Sequence, residues 1–284
     1  MQKVAIVTDS SSCLPFDLAS EHGIEIVPIE MVFEGRSYRD GRDDPGDFYR
    51  LLRDAKRPPT TAAPSPGLFR EAYTRARERA ESVLCITLPA NLSSTNNSSQ
   101  QAIQLAGEEL PGVKIVSVSA GAVAAGQGLL VLETARAAAR GLELEELVSL
   151  AGDLAQRVHF FAALDTLEYL ARGGHVPKVA AWLGGMVGIR PVLMAPKGDV
   201  KRISQVRSRG GAISKIVELM EERNPERGPI QVMVMHADAE SEAEKLRERI
   251  EAAFECKEML ITTFTPVMGA HSGPGVIGVA FKVA

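Results

Sequence analysis

The sequence predicts an α/β protein of two packed units, a parallel-sheet unit first and a mixed α/β unit after it. Three observations point there. Short apolar runs such as Val4-Ala5-Ile6-Val7 and Val83-Leu84-Cys85-Ile86-Thr87-Leu88 alternate with longer helical patterns through the first half. That alternation suits a parallel sheet covered on both faces. After Arg157 hairpin and crossover connections mix, and 284 residues exceed what one core usually holds. The boundary is expected between residues 1–157 and 158–284.

The elements follow in order. Val4-Ala5-Ile6-Val7 predicts a first strand, Thr8-Asp9-Ser10-Ser11-Ser12 a polar loop, and the pattern after Pro15 a helix through Leu18 and Glu21. Residues 24–29 read as a second strand, continued after a bend by Met31-Val32-Phe33. Residues 36–47 read as a loop, and Phe48, Leu51 and Leu52 give a short helix. Pro58, Pro59, Pro64 and Pro66 argue against regular structure over 58–67, while Ser65-Pro66 fits an N-cap with proline at N1. A helix over 66–80 leads into the strand at 83–88. Strand 113–118 and helices 122–140 and 144–158 complete the first half.

In the second half, His159-Phe160-Phe161-Ala162-Ala163-Leu164 reads as a strand, and 166–171 as one or two helical turns ended by Gly173-Gly174. Residues 179–186 read as a helix carrying Trp182. Segments 189–194 and 200–204 flank the turn Lys197-Gly198-Asp199. Helix 212–222, strand 230–236, helix 240–254 and strands 259–263 and 276–281 finish the chain.

Bulk properties exclude some functions. With 32 Lys and Arg against 36 Asp and Glu the net charge is −4, which argues against nucleic acid or an anionic membrane surface as the main partner. Cys13, Cys85 and Cys256 are widely spaced and show no disulfide or CxxC metal pattern, so a reducing cytoplasm is the expected location. The opening Met1-Gln2-Lys3 runs directly into a strand, so no signal peptide is expected. No uncharged apolar run reaches the roughly 18 residues of a membrane span, so stable membrane insertion is not predicted.

Chemistry concentrates in a few polar stretches. From Asn91 to Ser98 every residue except Leu92 carries a hydrogen-bonding side chain, just where a helical pattern with Ala102, Ile103, Leu105 and Ala106 begins. Such residues cap helices. The same geometry presents free N–H groups and a positive dipole end to a carboxylate or phosphate, so both readings stand. Gly273-Pro274-Gly275-Val276-Ile277-Gly278 matches G-x-G-x-x-G, but a strand follows it instead of a helix. It reads better as a Gly-rich loop displaying His271 and Ser272. His271 is then a general base, a ligand donor or a structural residue. The five histidines lie on separate elements and match no metal spacing. Ser93 as nucleophile, His271 as base and Asp9 as orienter would make a hydrolase, although no G-x-S-x-G elbow surrounds any serine. Arg172, Lys178, Arg190, Lys201, Arg202, Arg207 and Arg209 form a basic run, read as a solvated face or a docking surface for an acidic partner.

Five segments taken together resemble the DegV family of bacterial fatty-acid-binding proteins. They are Val7-Thr8-Asp9-Ser10-Ser11, Thr61-Ala62-Ala63-Pro64-Ser65-Pro66-Gly67, Leu92-Ser93-Ser94-Thr95, Asp165-Thr166-Leu167-Glu168-Tyr169-Leu170 with Arg172-Gly173-Gly174, and Gly269-Ala270-His271-Ser272-Gly273-Pro274-Gly275. They span the chain from residue 4 to the last strand. The resemblance implies a two-domain DegV-like fold with a long-chain fatty acid, such as palmitate, held between the domains. It also implies a non-catalytic carrier subunit of a bacterial fatty acid kinase, which presents the carboxylate to a separate ATP-using subunit that makes an acyl phosphate. No metal or cofactor is implied beyond the bound lipid.

By the same resemblance the carboxylate contacts are Thr61, Ser93 with the Ser94 backbone N–H, and His271. Ala62 stands where the family usually has Ser, and Ser94 where it usually has Gly. Phe160, Phe161, Ala163, Leu164, Leu183, Met186, Ile189, Leu193 and Ile277 are the candidate tunnel lining. Arg172 is the candidate docking residue. A serine-dependent acyl hydrolase and a sensor of a small carboxylate remain the alternatives.

Overall fold

A computed structural model describes residues 2–42, 48–55, 57–182 and 188–284. Strand β1 (Gln2–Asp9), helix α1 (Phe16–Glu21) and strand β2 (Ile24–Val27) open the chain, with β2 parallel to β1. The chain then leaves that sheet. β3 (Glu30–Phe33) and β4 (Arg36–Arg39) form an antiparallel hairpin across Glu34-Gly35, both at positive φ as a type I′ turn requires. After α2 (Phe48–Asp54), β5 (Thr60–Ala62) pairs antiparallel with the other edge of β3.

Three expectations are corrected here. Met31-Val32-Phe33 starts a separate three-stranded sheet, residues 36–39 are a strand, and 60–62 are an edge strand inside the proline-rich stretch. The reason for the first is period-two burial: Met31 and Phe33 turn inward onto Phe48 and Leu52, while Glu30 and Val32 face out. Prolines 58, 59 and 64 flank β5 and remove no ladder bond from it, as edge strands allow.

Helix α3 (Pro66–Arg77) starts as its sequence predicts, with Ser65 Oγ accepting from the Leu68 N–H and proline at the first turn. β6 (Ala80–Thr87), α4 (Thr95–Glu109), β7 (Lys114–Ser119), α5 (Ala125–Ala139) and α6 (Leu144–Arg157) follow. The first sheet runs β2-β1-β6-β7, all parallel. Alternate residues serve its two faces. Ala5, Val7, Val83 and Cys85 pack on Phe69 and Tyr73 of α3, whereas Val4, Ile6, Leu84 and Ile86 join the cluster around α5.

The second half contains β8 (His159–Ala163), α7 (Glu168–Arg172), a 3-10 turn over Pro177–Trp182, β9 (Arg190–Met194) and β10 (Lys201–Val206). Then come α8 (Arg209–Arg223), β11 (Ile230–His236), α9 (Glu240–Ala253), β12 (Cys256–Thr263), α10 (Pro266–Ser272) and β13 (Ile277–Val283). Its sheet order is β10-β9-β8-β13-β11-β12, mixed because only β11 and β12 pair in parallel. The helix expected over 179–186 is a 3-10 turn through Trp182, and its remaining residues lie outside the described ones.

Helix α5 packs on β1 and also on β11 and β13, so it is buried on nearly every side. Its charged side chains reach across to the second sheet. Arg136 donates to both oxygens of Glu258 at 2.6 Å, and Lys282 Nζ lies 3.3 Å from Glu133. Among the described residues no helix is long and apolar enough to cross a membrane.

Candidate functional site

In the first sheet, β1 is followed by a helix leading to β2 on one side, while β6 leads to β7 on the other. Loops at the carboxyl ends of β1 and β6 therefore diverge, and such a switch point leaves a crevice. A cavity of about 640 Å³ begins there, walled by Ser11 and Leu88 from those two loops. Its size falls within the roughly 300–1,000 Å³ of small-molecule sites. The far wall is the second sheet, where Phe160, Ala162 and Leu164 point inward alternately and Leu193 lies opposite Ala162.

Of the nine candidate lining residues, Phe160, Leu164 and Leu193 face the cavity. Phe161, Ala163 and Ile277 do not. They sit on the opposite side of the same strands, packed with Ile213, Ile216 and Leu246 of α8 and α9. Ile189 is not part of the wall, and Leu183 and Met186 lie outside the described residues. A strand apolar on both faces hides its parity from sequence inspection.

Thr61, Ser93, Ser94 and His271 all line this cavity. Thr61 is carried by β5, which pairs with β3 opposite Met31. Ser93 Oγ accepts from the Thr95 N–H at 3.2 Å and shares a 2.8 Å hydrogen bond with the Thr95 hydroxyl. That turn holds the start of α4. Ser94 is the N-cap residue, with φ −75° and ψ 5°, and its side chain makes no cap bond. Negative φ means the Ser94 side chain is accommodated without strain. The cap expected of the Ser/Thr/Asn stretch is thus made by Ser93.

His271 lies in the last turn of α10, not on a loop. The surrounding glycines had suggested a loop, but they serve close packing. Gly269 lies against the Tyr49 ring, where a Cβ would collide, and Tyr49 donates to the Phe264 carbonyl at 2.7 Å. Gly273, at φ +78°, ends the helix beneath Tyr169. At the other end of α10, Asp40 Oδ1 accepts from the Val267 N–H at 3.0 Å. Among the described residues, its Oδ2 and the Thr265 hydroxyl are buried with no partner within hydrogen-bond distance. Burial raises the Asp40 carboxyl to about 6.

These placements bring His271 Nε2 to 3.3 Å from Thr61 Oγ1. Burial, with repulsion from His175 added, pushes the His271 imidazole down to about 4, so it is neutral at pH 7. Sequence reasoning missed His175, Asp40 and Tyr49. His175 follows Arg172-Gly173-Gly174, one of the segments singled out, yet its place on the wall depends on how α7 packs against α10.

Asp9 does not join His271. Oδ1 accepts from the Ser11 N–H and hydroxyl, and Oδ2 from the Leu88 N–H at 2.8 Å and the Gln127 amide at 3.3 Å. Burial raises its pKa against those hydrogen bonds. Asp9 therefore ties the ends of β1 and β6 to α5, and the Ser93–His271–Asp9 relay is not assembled.

The basic run is mostly paired. Arg190 and Arg209 hold Asp165 at 2.8 Å each, Lys178 and Lys201 hold Asp199, and the Arg202 guanidinium lies 5.8 Å from the Trp182 ring centre. Arg172 has 48% of its side chain exposed and lies 3.6 Å from Glu168 on the same helix. Among the described residues no cluster of His, Cys, Asp and Glu could hold a metal ion.

Comparison with known proteins adds four findings. The model of a family described as an uncharacterised protein, DegV family, matches residues 3–283. A DegV domain-containing protein of Caldanaerobacter subterraneus subsp. tengcongensis is 32% identical over 283 residues, covering 99% of each chain. Among solved structures, one described as fatty acid binding of a DegV family protein from Thermus thermophilus aligns over 100% of both chains, with TM-score 0.91 and 29% identity. A stearic-acid-binding protein from Eubacterium ventriosum aligns with TM-score 0.90 and 26% identity, over 100% of this chain and 98% of its own.

Proposed function

Because the chain belongs to the DegV family, we propose that it binds a long-chain fatty acid in the 640 Å³ cavity, the tail against the second sheet and the carboxylate at Thr61, Ser93, Ser94 and His271. The observation that carries this reading is a continuous run of contacts along one wall. Thr61 meets His271 at 3.3 Å, His271 meets the His175 ring, and His175 meets the Leu92 carbonyl next to Ser93. Polar groups thus collect in one place within a wall otherwise made largely of Leu, Val, Phe, Met and Ala.

Two requirements of a buried lipid acid are met. A carboxylate out of water needs donors or it takes up a proton. When a carboxylate enters, His271 Nε2–H can donate to it directly, or donate to Thr61 Oγ1 and leave the Thr61 hydroxyl proton facing the ligand, and hydroxyls and backbone N–H groups at Ser93 and Ser94 supply more donors. The tail provides most of the affinity, at about 0.8 kcal/mol per CH₂. Roughly fourteen methylenes, as in palmitate, give about 11 kcal/mol before ordering costs.

The protein acts as a non-catalytic carrier in the cytoplasm, its units taken as 1–157 and 158–284, and hands the carboxylate to an ATP-using kinase subunit. The exposed Ser94 and His175 at the cavity rim support access to the head group, and Arg172 on α7 is the docking residue. Mass spectrometry of the denatured, purified protein tests the binding. One long-chain acid per chain is expected. A short carboxylate alone, or no uptake of added palmitate, overturns it. A fluorophosphonate adduct on Ser93 would instead establish the hydrolase.

A further inference from the structure

His175 touches both parts of the polar wall. Its Nδ1 lies 3.1 Å from the Leu92 carbonyl oxygen, and a carbonyl only accepts, so this nitrogen carries the proton. Its ring meets His271 edge to face, with centres 4.7 Å apart and planes at 87°. The backbone approaches just as closely: a Cβ on Gly173 would collide with His271 Nδ1. Gly174 then turns at φ +71° with open space around it. The His175 side chain remains exposed to solvent while His271 lies beneath it. On the other flank, Gly198 of the β9–β10 turn rests against Pro89 and Asn91, leaving no room for a Cβ. The loop that carries Ser93 therefore meets the second half of the chain at His175 and at Gly198, and His175 reaches His271 as well.

From this geometry we infer that His175 is a ligand-retaining latch. Its hydrogen bond to Leu92 closes residues 173–176 over the head group, and Gly173-Gly174 is the pivot on which that segment lifts. The inference rests on the cavity's being a lipid site. A single exposed hydrogen bond adds little to equilibrium affinity. Placed across the exit, it acts on the rate at which the carboxylate leaves or is exposed to a second protein. His175 is a positioning residue here, acting through Leu92 and His271.

The test uses the full chain loaded with the fluorescent acid cis-parinaric acid and chased with excess palmitate in a stopped-flow instrument. Saturable uptake by the wild type comes first, and its failure overturns the lipid reading itself. With uptake established, His175→Ala is expected to speed dissociation roughly 2- to 12-fold, the equivalent of one net hydrogen bond. Association should speed up as well, so that affinity changes less than either rate. His175→Gln, whose amide N–H can reach the Leu92 carbonyl, should restore slow release. Unchanged dissociation in His175→Ala, or equally fast release from both variants, overturns the latch and leaves lipid binding standing. Thermal melting of both variants is expected to match the wild type, because the side chain is exposed. A shared loss of stability would assign the effect to folding instead.

Discussion

The Thr61 hydroxyl and the His271 imidazole stand 3.3 Å apart although they are 210 positions apart in the chain. One is on an edge strand of the small sheet, the other in the last turn of α10. Their meeting is produced by the packing of β3 and α2 against α10, through Ile29, Phe48, Val267 and Ala270.

Thr61→Val keeps the side-chain shape and removes the hydroxyl. Hydrogen bonds to a charged group are worth about 1.5–3 kcal/mol, so fatty-acid affinity should fall roughly 10- to 100-fold. Competition binding measures this, with the methyl ester of the same acid as control. The ester has no carboxylate to lose, and its affinity should be the same for wild type and variant. An equal drop for both would mean that Thr61 only shapes the cavity.

His271 should make the protein less stable in acid. Its folded-state pKa is about 4, against 6.5 for an exposed histidine. Between those values the unfolded chain binds the proton and the folded chain does not, so stability falls as pH drops through the window. The loss is complete below about pH 4 and comes to about 3 kcal/mol, at 1.36 kcal/mol per pH unit. Urea unfolding at pH 7 and pH 4 should show His271→Gln gaining about that much on the wild type at the acid end. Parallel pH profiles would refute it.

Asp40 carries the opposite sign. Burial raises its carboxyl from 3.8 to about 6. The folded state binds more protons between those values, so its contribution declines as pH rises through them and stays lost at pH 7. Asp40→Asn keeps an oxygen for the Val267 N–H and puts its NH₂ beside the neighbouring Thr265 hydroxyl. A gain of about 1–3 kcal/mol at pH 7, absent below pH 4, is expected from denaturant unfolding.

Phe160 and Phe161 separate lining from core. Phe161 is 1% exposed among the side chains under α8 and α9. Phe161→Ala should cost about 3–5 kcal/mol and leave acyl preference alone. Phe160 closes the cavity near Gly126 of α5, where an added Cβ would sit 3.5 Å from its own. Phe160→Ala should shift preference toward longer or bulkier acids in competition assays, at a smaller cost in stability.

Arg172→Glu reverses a half-exposed charge and puts it four residues from Glu168. Such a like-charge pair costs only about 0.2–0.5 kcal/mol of helix stability. Kinase-supported acyl phosphate formation should be abolished with lipid affinity intact. Loss of both together would remove Arg172 from the docking face.

Much of this was legible in the residues. The parallel first sheet follows from continuous apolar strands separated by helical patterns, and Ser65-Pro66 caps α3 as its chemistry dictates. Other features were not. Thr60–Ala62 is too short to show periodicity, and nearby prolines mask it, so only its partner β3 reveals a strand. Phe160 to Leu164 is apolar at every position, which identifies a strand buried on both faces but not which face meets the cavity. Glycines around His271 reflect contact with Tyr49 and Tyr169, partners distant in sequence.

Local chemistry by itself determined the elements, their caps and the stock of polar groups that an anion would need, because helix and strand preferences act within a few residues. Tertiary packing alone decided that Thr61, Ser93 and His271 share one cavity, that Asp9 is spent elsewhere, and that His175 meets both the Leu92 carbonyl and the His271 ring. Such convergence depends on the angle at which α5, α7 and α10 sit against two sheets, and that angle is set by side chains far apart in the chain.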